Sequence, residues 1–487
     1  MKLGMLIEKI AYRLAQKGHP DYESRPVARV VTKAEEAGED ALYVCLRTAT
    51  QDGHTGAACA YRKGCRLFLA ERSLLLPKDA TVLVVESTVA WLGPIAAELL
   101  GHPARELTVI GITGSTGKSS VADTVATVLH RLGRQVACVT TDGVRVGERR
   151  SPRRDILHDA AELQALLHGF VREGVEVVIL ELSSYMLMQG SAFSIPFTAV
   201  LLTNLFPDYG ESSACGSASA YVRTMASLFA GDAAFQVLPA NFVGFSVTGK
   251  GQRLTFGPQG NACAAEVESH ACGTSFRLCL DGESAAVSLP VVGDFAIENA
   301  LAAALLLRIA GVGVSQIATE LSAYAPEGRM ECIARKDGRA VFIDTAYTAR
   351  DLTRALLLLR KHTKGRLTVV LGSVGERERG RRAPLGEAAT THADFAYFTA
   401  DDPGYELPRR IAEEMASGAV SPRKYAILPD RREAIAVAVR DLRPGDTLLL
   451  AGKGAQEDQR IRDERVPFSE RELVKTLFST EPPCLLL

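Results

Sequence analysis

Short apolar runs separated by polar or glycine-rich breaks organise this chain. LTVIGITG (107–114), QVACVTT (135–141), EVVILELSS (176–184) and FTAVLLTNL (197–205) recur with Ala-rich, helix-forming stretches between them. Runs of this length without polar alternation are the pattern of parallel strands covered on both faces. A similar but shorter series lies between Arg25 and Pro103, with ALYVCL and TVLVVE as its strands. A third begins after Gly328-Arg329: AVFIDTAY, RLTVVLGSVG, FAYFTADDP, KYAILPD and TLLLAGKG. Between the second and third series, SFRLCLDGESAAVSLPVV predicts a hairpin turning at Asp281-Gly282. The stretch ENALAAALLLRIAG predicts a long helix ending at Gly311. At the start of the chain Glu8, Lys9 and Arg13 interrupt the apolar residues, which predicts a short amphipathic helix and not a signal peptide. The fold expected is α/β in three domains. These are an N-terminal α/β domain (1–106), a central P-loop-type domain with a parallel sheet flanked by helices (107–326), and a C-terminal Rossmann-like α/β domain (327–487).

Composition narrows the classes. Lys plus Arg number 56 against 57 for Asp plus Glu, so no basic excess argues for nucleic acid or an anionic membrane as partner. No stretch approaches the roughly 20 apolar residues of a membrane span. The 10 cysteines show no CxxC or zinc spacing and read as thiols in a reducing cytoplasm. The tail CLLL at Cys484 formally fits a prenylation box, but four residues are too little to predict lipidation.

The chemistry concentrates in GITGSTGKSS (111–120). A strand delivers the chain to Gly114, Gly117 permits a tight path, and a helix follows from Ser119 to about Leu132, so its first amides face an anion. Thr113, Gly114, Ser115, Thr116, Gly117, Lys118, Ser119 and Ser120 are the expected nucleotide-phosphate-binding residues. Lys118 is placed to reach the distal phosphates, and Ser119 to hold Mg²⁺. The strict P-loop spacing would need Gly where Ile112 stands. No NKxD-like base reader is present, which argues against a guanine-nucleotide switch. Glu181 ends a buried strand, the place for a carboxylate near Mg²⁺. TNL, at 203–205, ends the next strand at the same sheet edge, where ligands of open sheets collect.

The ordered series GITGSTGKSS, ELSSYMLMQG, TNLFPD, GDFAIENALAA, GRME, IDTAYT, LGSVGERERGRRAPLGE, TADDP and AGKG resembles the Mur ligase family. Within that family it is most similar to the members that add a diamino acid to UDP-N-acetylmuramoyl-L-alanyl-D-glutamate. Even QDGH, at 51–54, resembles the family's N-terminal domain, so the likeness covers nearly the whole chain. The resemblance implies ATP-dependent amide formation: a carboxylate takes the γ-phosphoryl group to give an acyl phosphate and ADP, and an amine then displaces phosphate. It implies that Asn299 contacts adenine, that Arg329 and Asp344 act with Lys118 as the third domain closes on ATP, and that LGSVGERERGRRAPLGE is a closing or phosphate-facing loop. Ser183, Ser184, Asn204, Asp402 and Glu457 are the substrate candidates. The implied partners are a nucleotide-linked muramoyl peptide or analogue and an amino acid, met by a cytoplasmic monomer.

The departures from the family pattern cluster. Met225 stands where the family carries a carbamylated lysine near a second Mg²⁺, and Tyr209 where a His follows TNLFPD. Arg223 is the nearest fixed charge that could substitute. On the acceptor side, Ile156-Leu157-His158 replaces Thr-Thr-Pro, Tyr185 replaces a His, Ser191 replaces an Arg, and Thr32-Lys33 stands near the missing Ser-Arg pair. In the third domain Asp401-Asp402-Pro403-Gly404 lacks the family's Arg, Ala455-Gln456 replaces His-Glu, and Tyr347 replaces a His. Glu457 or Asp458 is then left to greet an amine. The alternatives to a Mur-type ligase are a nucleotide-binding paralogue without ligase chemistry, a ligase for a different acceptor, or a small-molecule kinase.

Overall fold

The computed structural model describes residues 1–48, 52–141, 143–151, 159–206, 215–270, 273–291, 293–324, 326–376 and 379–480. Gln51, Ile156-Leu157-His158, Tyr209 and Cys484 therefore lie outside the described residues. The chain divides into two compact units, Met1–Asn261 with Ala302–Gly311, and Ala262–Leu301 with Val312–Leu487.

The first unit opens with a five-stranded sheet in the order Arg13–Gln16, Thr81–Val84, Leu67–Ala70, Ala41–Val44, Arg29–Val31. All neighbours are parallel except the first pair. The N-terminal helix expected from the sequence is confined to Leu3–Ile7, and Arg13 belongs to a strand instead. No side chain caps this helix, whereas Arg13–Gln16 gains a ladder with Thr81–Val84 by covering an otherwise open sheet edge.

The same unit holds the main parallel array, running Gln252–Phe256, Phe235–Pro239, Ala199–Leu202, Thr108–Thr113, Val177–Glu181, Val136–Thr140. Two antiparallel strands, Gly143–Val146 and Arg149–Ser151, extend its end. Val109, Ile110, Ile112, Val178, Ile179, Leu180, Val200 and Leu201 are all fully buried, as strands covered on both faces must be. Register sets Glu181 opposite Ile112 and Leu202 opposite Thr113, so these strands end on one edge. Helix Lys118–Arg131 buries Val121, Val125 and Val128 and stops before Gly133, whose φ of 84° suits a left-handed helix end. Helix Ala160–Arg172 is capped by Asp159, whose Oδ1 accepts from the amides of Ala161 and Glu162, each at 2.9 Å.

In the second unit the hairpin falls as the sequence predicts. Asp281 and Gly282 have φ of 52° and 79°, the signs a tight hairpin turn requires, and join Gly273–Leu280 to Glu283–Leu289. The helix Asp294–Ile309 is divided between the units. A six-stranded sheet follows in the order Glu331–Lys336, Arg339–Asp344, Thr447–Ala451, Leu367–Leu371, Phe395–Phe398, Tyr425–Ile427, parallel after its first pair. Fully buried Arg431 ties its strand ends to the last helix, Glu470–Thr480. Nε meets Glu470 Oε1 at 2.7 Å, while the terminal nitrogens donate to the carbonyls of Ala400 and Ala451 at 3.1 and 2.9 Å.

Candidate active site

Thr113, the last residue of its strand, hands the chain to Gly114, whose φ of 136° excludes most side chains. A Cβ there would lie 2.1 Å from Thr203 Oγ1. The loop is shaped from the TNL segment, for a physical reason the sequence did not reveal. Thr203 Oγ1 donates to Thr116 O at 2.6 Å, Asn204 Oδ1 accepts from Thr116 N at 2.9 Å, and Ser115 N donates to Asn204 O at 3.1 Å. Buried Tyr221 adds a contact through its hydroxyl to Ser115 Oγ at 3.0 Å. Asn204 thus buttresses the loop with both ends of its amide, since its Nδ2 also donates to Thr116 O at 3.1 Å.

Gly117 takes φ of 82° and the helix begins at Lys118. Lys118 is buried, and its Nζ donates to Gly114 O at 2.7 Å. Ser119 Oγ donates to Glu181 Oε2 at 2.9 Å, and the same carboxylate oxygen accepts from Thr141 N at 3.1 Å. Ser120 lends its carbonyl to Thr124 Oγ1 at 2.7 Å. The structure therefore gathers an ammonium, a hydroxyl and a carboxylate at one helix N-terminus. A serine hydroxyl and a carboxylate are hard oxygen donors, the kind that Mg²⁺ takes when phosphates complete its shell. Among the described residues no group of three His, Cys, Asp or Glu could hold a metal alone.

Met225 is fully buried in the core of this unit, its Sδ 3.1 Å from Thr113 Oγ1. Arg223, two residues away on helix Ala218–Ser227, is exposed. Positions two apart point to nearly opposite sides of a helix, so this guanidinium does not replace the charge missing at Met225. Ser183 caps the short helix Ser184–Met188 by accepting from Met186 N at 3.3 Å, and Ser184 is buried. Ser191 is buried with no partner for its Oγ. Thr32 and Lys33 are bonded to the helix Ala160–Arg172 and its cap: Thr32 Oγ1 to Asp159 Oδ2 at 2.5 Å, Lys33 Nζ to Glu162 Oε1 at 2.9 Å.

Asn299, Arg329, Asp344, Asp402 and Glu457 belong to the second unit. Asn299 is half-buried on its helix. Arg329 donates to Thr345 Oγ1. Asp344 Oδ2 accepts from Met330 N at 2.7 Å and Oδ1 from Ala346 N at 2.8 Å. Burial pushes its carboxyl up to about 6, although the Arg329 charge and these two amides pull the other way. Gly328, with φ of 65°, passes so close to Ala455 that a Cβ would lie 2.1 Å from its nitrogen. Asp402 Oδ1 accepts from fully buried Lys453 Nζ at 2.8 Å and from Arg460 N at 3.0 Å. Glu457 is exposed on the surface.

The arginines of LGSVGERERGRRAPLGE differ in role. Arg382 is fully buried and held by Glu406 and Glu414 at 2.9 and 2.7 Å, so its charge is already neutralised. Arg379 is mostly exposed.

Residues 112–307 match a model of the Mur ligase middle domain, and residues 328–454 match a model of the Mur ligase glutamate ligase domain. The chain is 32% identical over 483 residues to UDP-N-acetylmuramoyl-L-alanyl-D-glutamate–2,6-diaminopimelate ligase of Alkalilimnicola ehrlichii, covering 93% of this chain and 95% of that one. With the enzyme of the same name from Caldanaerobacter subterraneus subsp. tengcongensis, identity is 29% over 485 residues, covering 98% and 99%. Among solved structures, one of a UDP-N-acetylmuramoyl-L-alanyl-D-glutamate–2,6-diaminopimelate ligase superposes with a TM-score of 0.67 at 24% identity, covering 96% of this chain and 99% of that one. The MurF ligase from Thermotoga maritima in complex with ADP superposes with a TM-score of 0.57 at 18% identity, covering 93% and 97%.

Proposed function

Because the chain belongs to the Mur ligase family of ATP-dependent amide-forming enzymes, we propose that it adds an amino acid to UDP-N-acetylmuramoyl-L-alanyl-D-glutamate during peptidoglycan precursor synthesis. The observation that carries this is the Ser119–Glu181 contact of 2.9 Å beside buried Lys118. A carboxylate must approach a triphosphate, like charge against like, so the work of the protein is positioning and neutralisation. Residues 113–120 would cradle the phosphates. Lys118 would exchange its bond to Gly114 O for phosphate oxygens. Ser119 and Glu181 would hold Mg²⁺, which supplies charge neutralisation between phosphate and incoming carboxylate. Asn299 would meet adenine, and Arg329 and Asp344 would act as the C-terminal domain, 327–487, closes on the central domain, 107–326. Ser183, Ser184, Asn204, Asp402 and Glu457 are the remaining substrate candidates. Of these, Asn204 and Asp402 already brace loops, which supports positioning roles for both. We take the working form to be a cytoplasmic monomer.

A changed acceptor is the second reading, favoured by Thr32 and Lys33 being bonded to Asp159 and Glu162 and by neutral Ser191. An anionic substrate loses charged partners there, and each missing hydrogen bond to a charged group costs about 1.5–3 kcal/mol. Phosphate release with ATP, Mg²⁺, a panel of amino acids and either UDP-muramoyl-dipeptide or its analogues as acceptor tests both. Turnover with the dipeptide supports the first reading, and turnover only with an analogue supports the second. ATP binding with no turnover across acceptors and amino acids would overturn the ligase assignment in favour of a nucleotide-binding paralogue.

A further inference from the structure

In the second unit, antiparallel pairing sets Gly273–Leu280 between Ala262–His270 and Glu283–Leu289. Phe276, Leu278 and Leu280 are buried, so Ser275, Arg277 and Cys279 occupy the opposite face. That face is polar: Arg277 pairs with exposed Glu266 at 3.0 Å, and Ser275 Oγ donates to Ser288 Oγ at 3.2 Å. Cys279 stands in the same row, directly opposite Cys263 on one neighbouring strand and Ser284 on the other.

Core packing does not account for these two cysteines, because both are partly exposed and both are free thiols. Opposed residues of an antiparallel pair have Cα atoms about 4.5–5.5 Å apart, inside the roughly 4.4–6.8 Å that a disulfide spans. Their side chains also leave the sheet on the same side. The two thiols already meet. Burial pushes the Cys263 thiol up, and its neighbour Cys279 adds to the shift by charge and by a hydrogen bond.

We propose that Cys263 and Cys279 are a reversible redox pair, closed to a cross-strand disulfide by exchange with a low-molecular-weight disulfide. The thiolate of one cysteine attacks a sulfur of the small disulfide, whose S–S bond breaks and releases one small thiolate. The thiolate of the second then attacks the protein sulfur of this mixed disulfide, forming the Sγ–Sγ bond and expelling the other small thiolate. Two protein thiols are oxidised, one small disulfide is reduced to two thiols, and the cysteine protons pass to them. The pair uses none of the residues assigned to ATP and stands independently of the ligase reading.

The test incubates the folded full chain with oxidised glutathione, alkylates the remaining thiols, and maps peptides by mass spectrometry before and after dithiothreitol. The expected result is the loss of two thiols, a Cys263–Cys279 link as the principal product, and its complete reversal by dithiothreitol. Trypsin leaves Cys263 and Cys272 on one peptide, between Arg253 and Arg277, and Cys272 lies outside the described residues. The link should therefore survive Cys272→Ser. Cys263→Ser should leave Cys279 holding glutathione, because no second thiol remains to expel it. Stable glutathione adducts on both cysteines of the unaltered protein, no reaction at either, or a principal link to any other cysteine would each overturn the proposal. The unaltered protein decides the matter even if a variant does not fold.

Discussion

The buried ammonium of Lys118 rests on the carbonyl of Gly114, so the loop is held in shape by the group proposed to grip phosphate. Lys118→Ala should abolish ATP binding in a calorimetric titration; unchanged affinity would remove phosphate from this loop. Gly114→Ala tests the same loop from the backbone, since its Cβ would meet Thr203 Oγ1 at 2.1 Å. We expect that variant to fold with its circular dichroism unchanged and to lose at least about tenfold in ATP affinity. The glycines, the lysine and the hydroxyl were legible because P-loop spacing is local. The buttress from Thr203, Asn204 and Tyr221 was not, because it depends on which strand neighbours which. Asp344 offers a titration. Its carboxyl is raised from 3.8 to about 6 by burial, so the folded state holds the proton more tightly than the unfolded chain. The associated stability is complete below about 3.8 and is lost as pH rises through about 6. Relative to Asp344→Asn, the unaltered protein should therefore lose thermal stability between about pH 4 and pH 7. A flat difference across that range would show that the carboxyl does not titrate there.

At the scale of elements, the segment 371–387 combines a closing-loop signature with a structural anchor. Glu406 is drawn down to about 2, chiefly by its hydrogen bonds with Arg382. Its contribution to stability is present above about 4.5 and fades as pH falls toward about 2. Glu406→Gln should destabilise by about 3 kcal/mol in urea unfolding, because a buried guanidinium loses a charged partner. Glu414→Gln should cost less, since Arg382 keeps both oxygens of Glu406. Equal effects would mean that Glu406 is not the principal counterion. Sequence patterning located the strands it read in the apolar runs, the Asp281-Gly282 turn and the long alanine-rich helix, all of which rest on local periodicity, but passed over Phe235–Pro239, Gln252–Phe256 and Ala262–His270. It misplaced Arg13, because a strand that completes a sheet edge draws its stability from residues far along the chain, here Val84 for Arg13, Leu83 for Leu14 and Val82 for Gln16. It also could not reveal that Arg382 is consumed by Glu406, in the loop before helix Pro408–Ala416, and by Glu414 on that helix, since an exposed and a buried arginine read alike.

For the molecule as a whole, motif order across nearly the full length made the family legible from sequence, and the departures from it carry the distinctive expectation. Met225 is a buried thioether that cannot form a carbamate and is too soft a ligand for Mg²⁺. Ligase turnover should accordingly be unaffected by stripping carbon dioxide from the buffer and unaffected by added bicarbonate. A bicarbonate requirement would place a modified lysine elsewhere in the chain. The Arg431–Glu470 contact carries a practical corollary for anyone trimming the protein. Ending expression before residue 470 would strand a positive charge among strand termini with no anion to answer it. Such a shortened product should reach the insoluble fraction, so the last helix serves as a keystone and not as a tail.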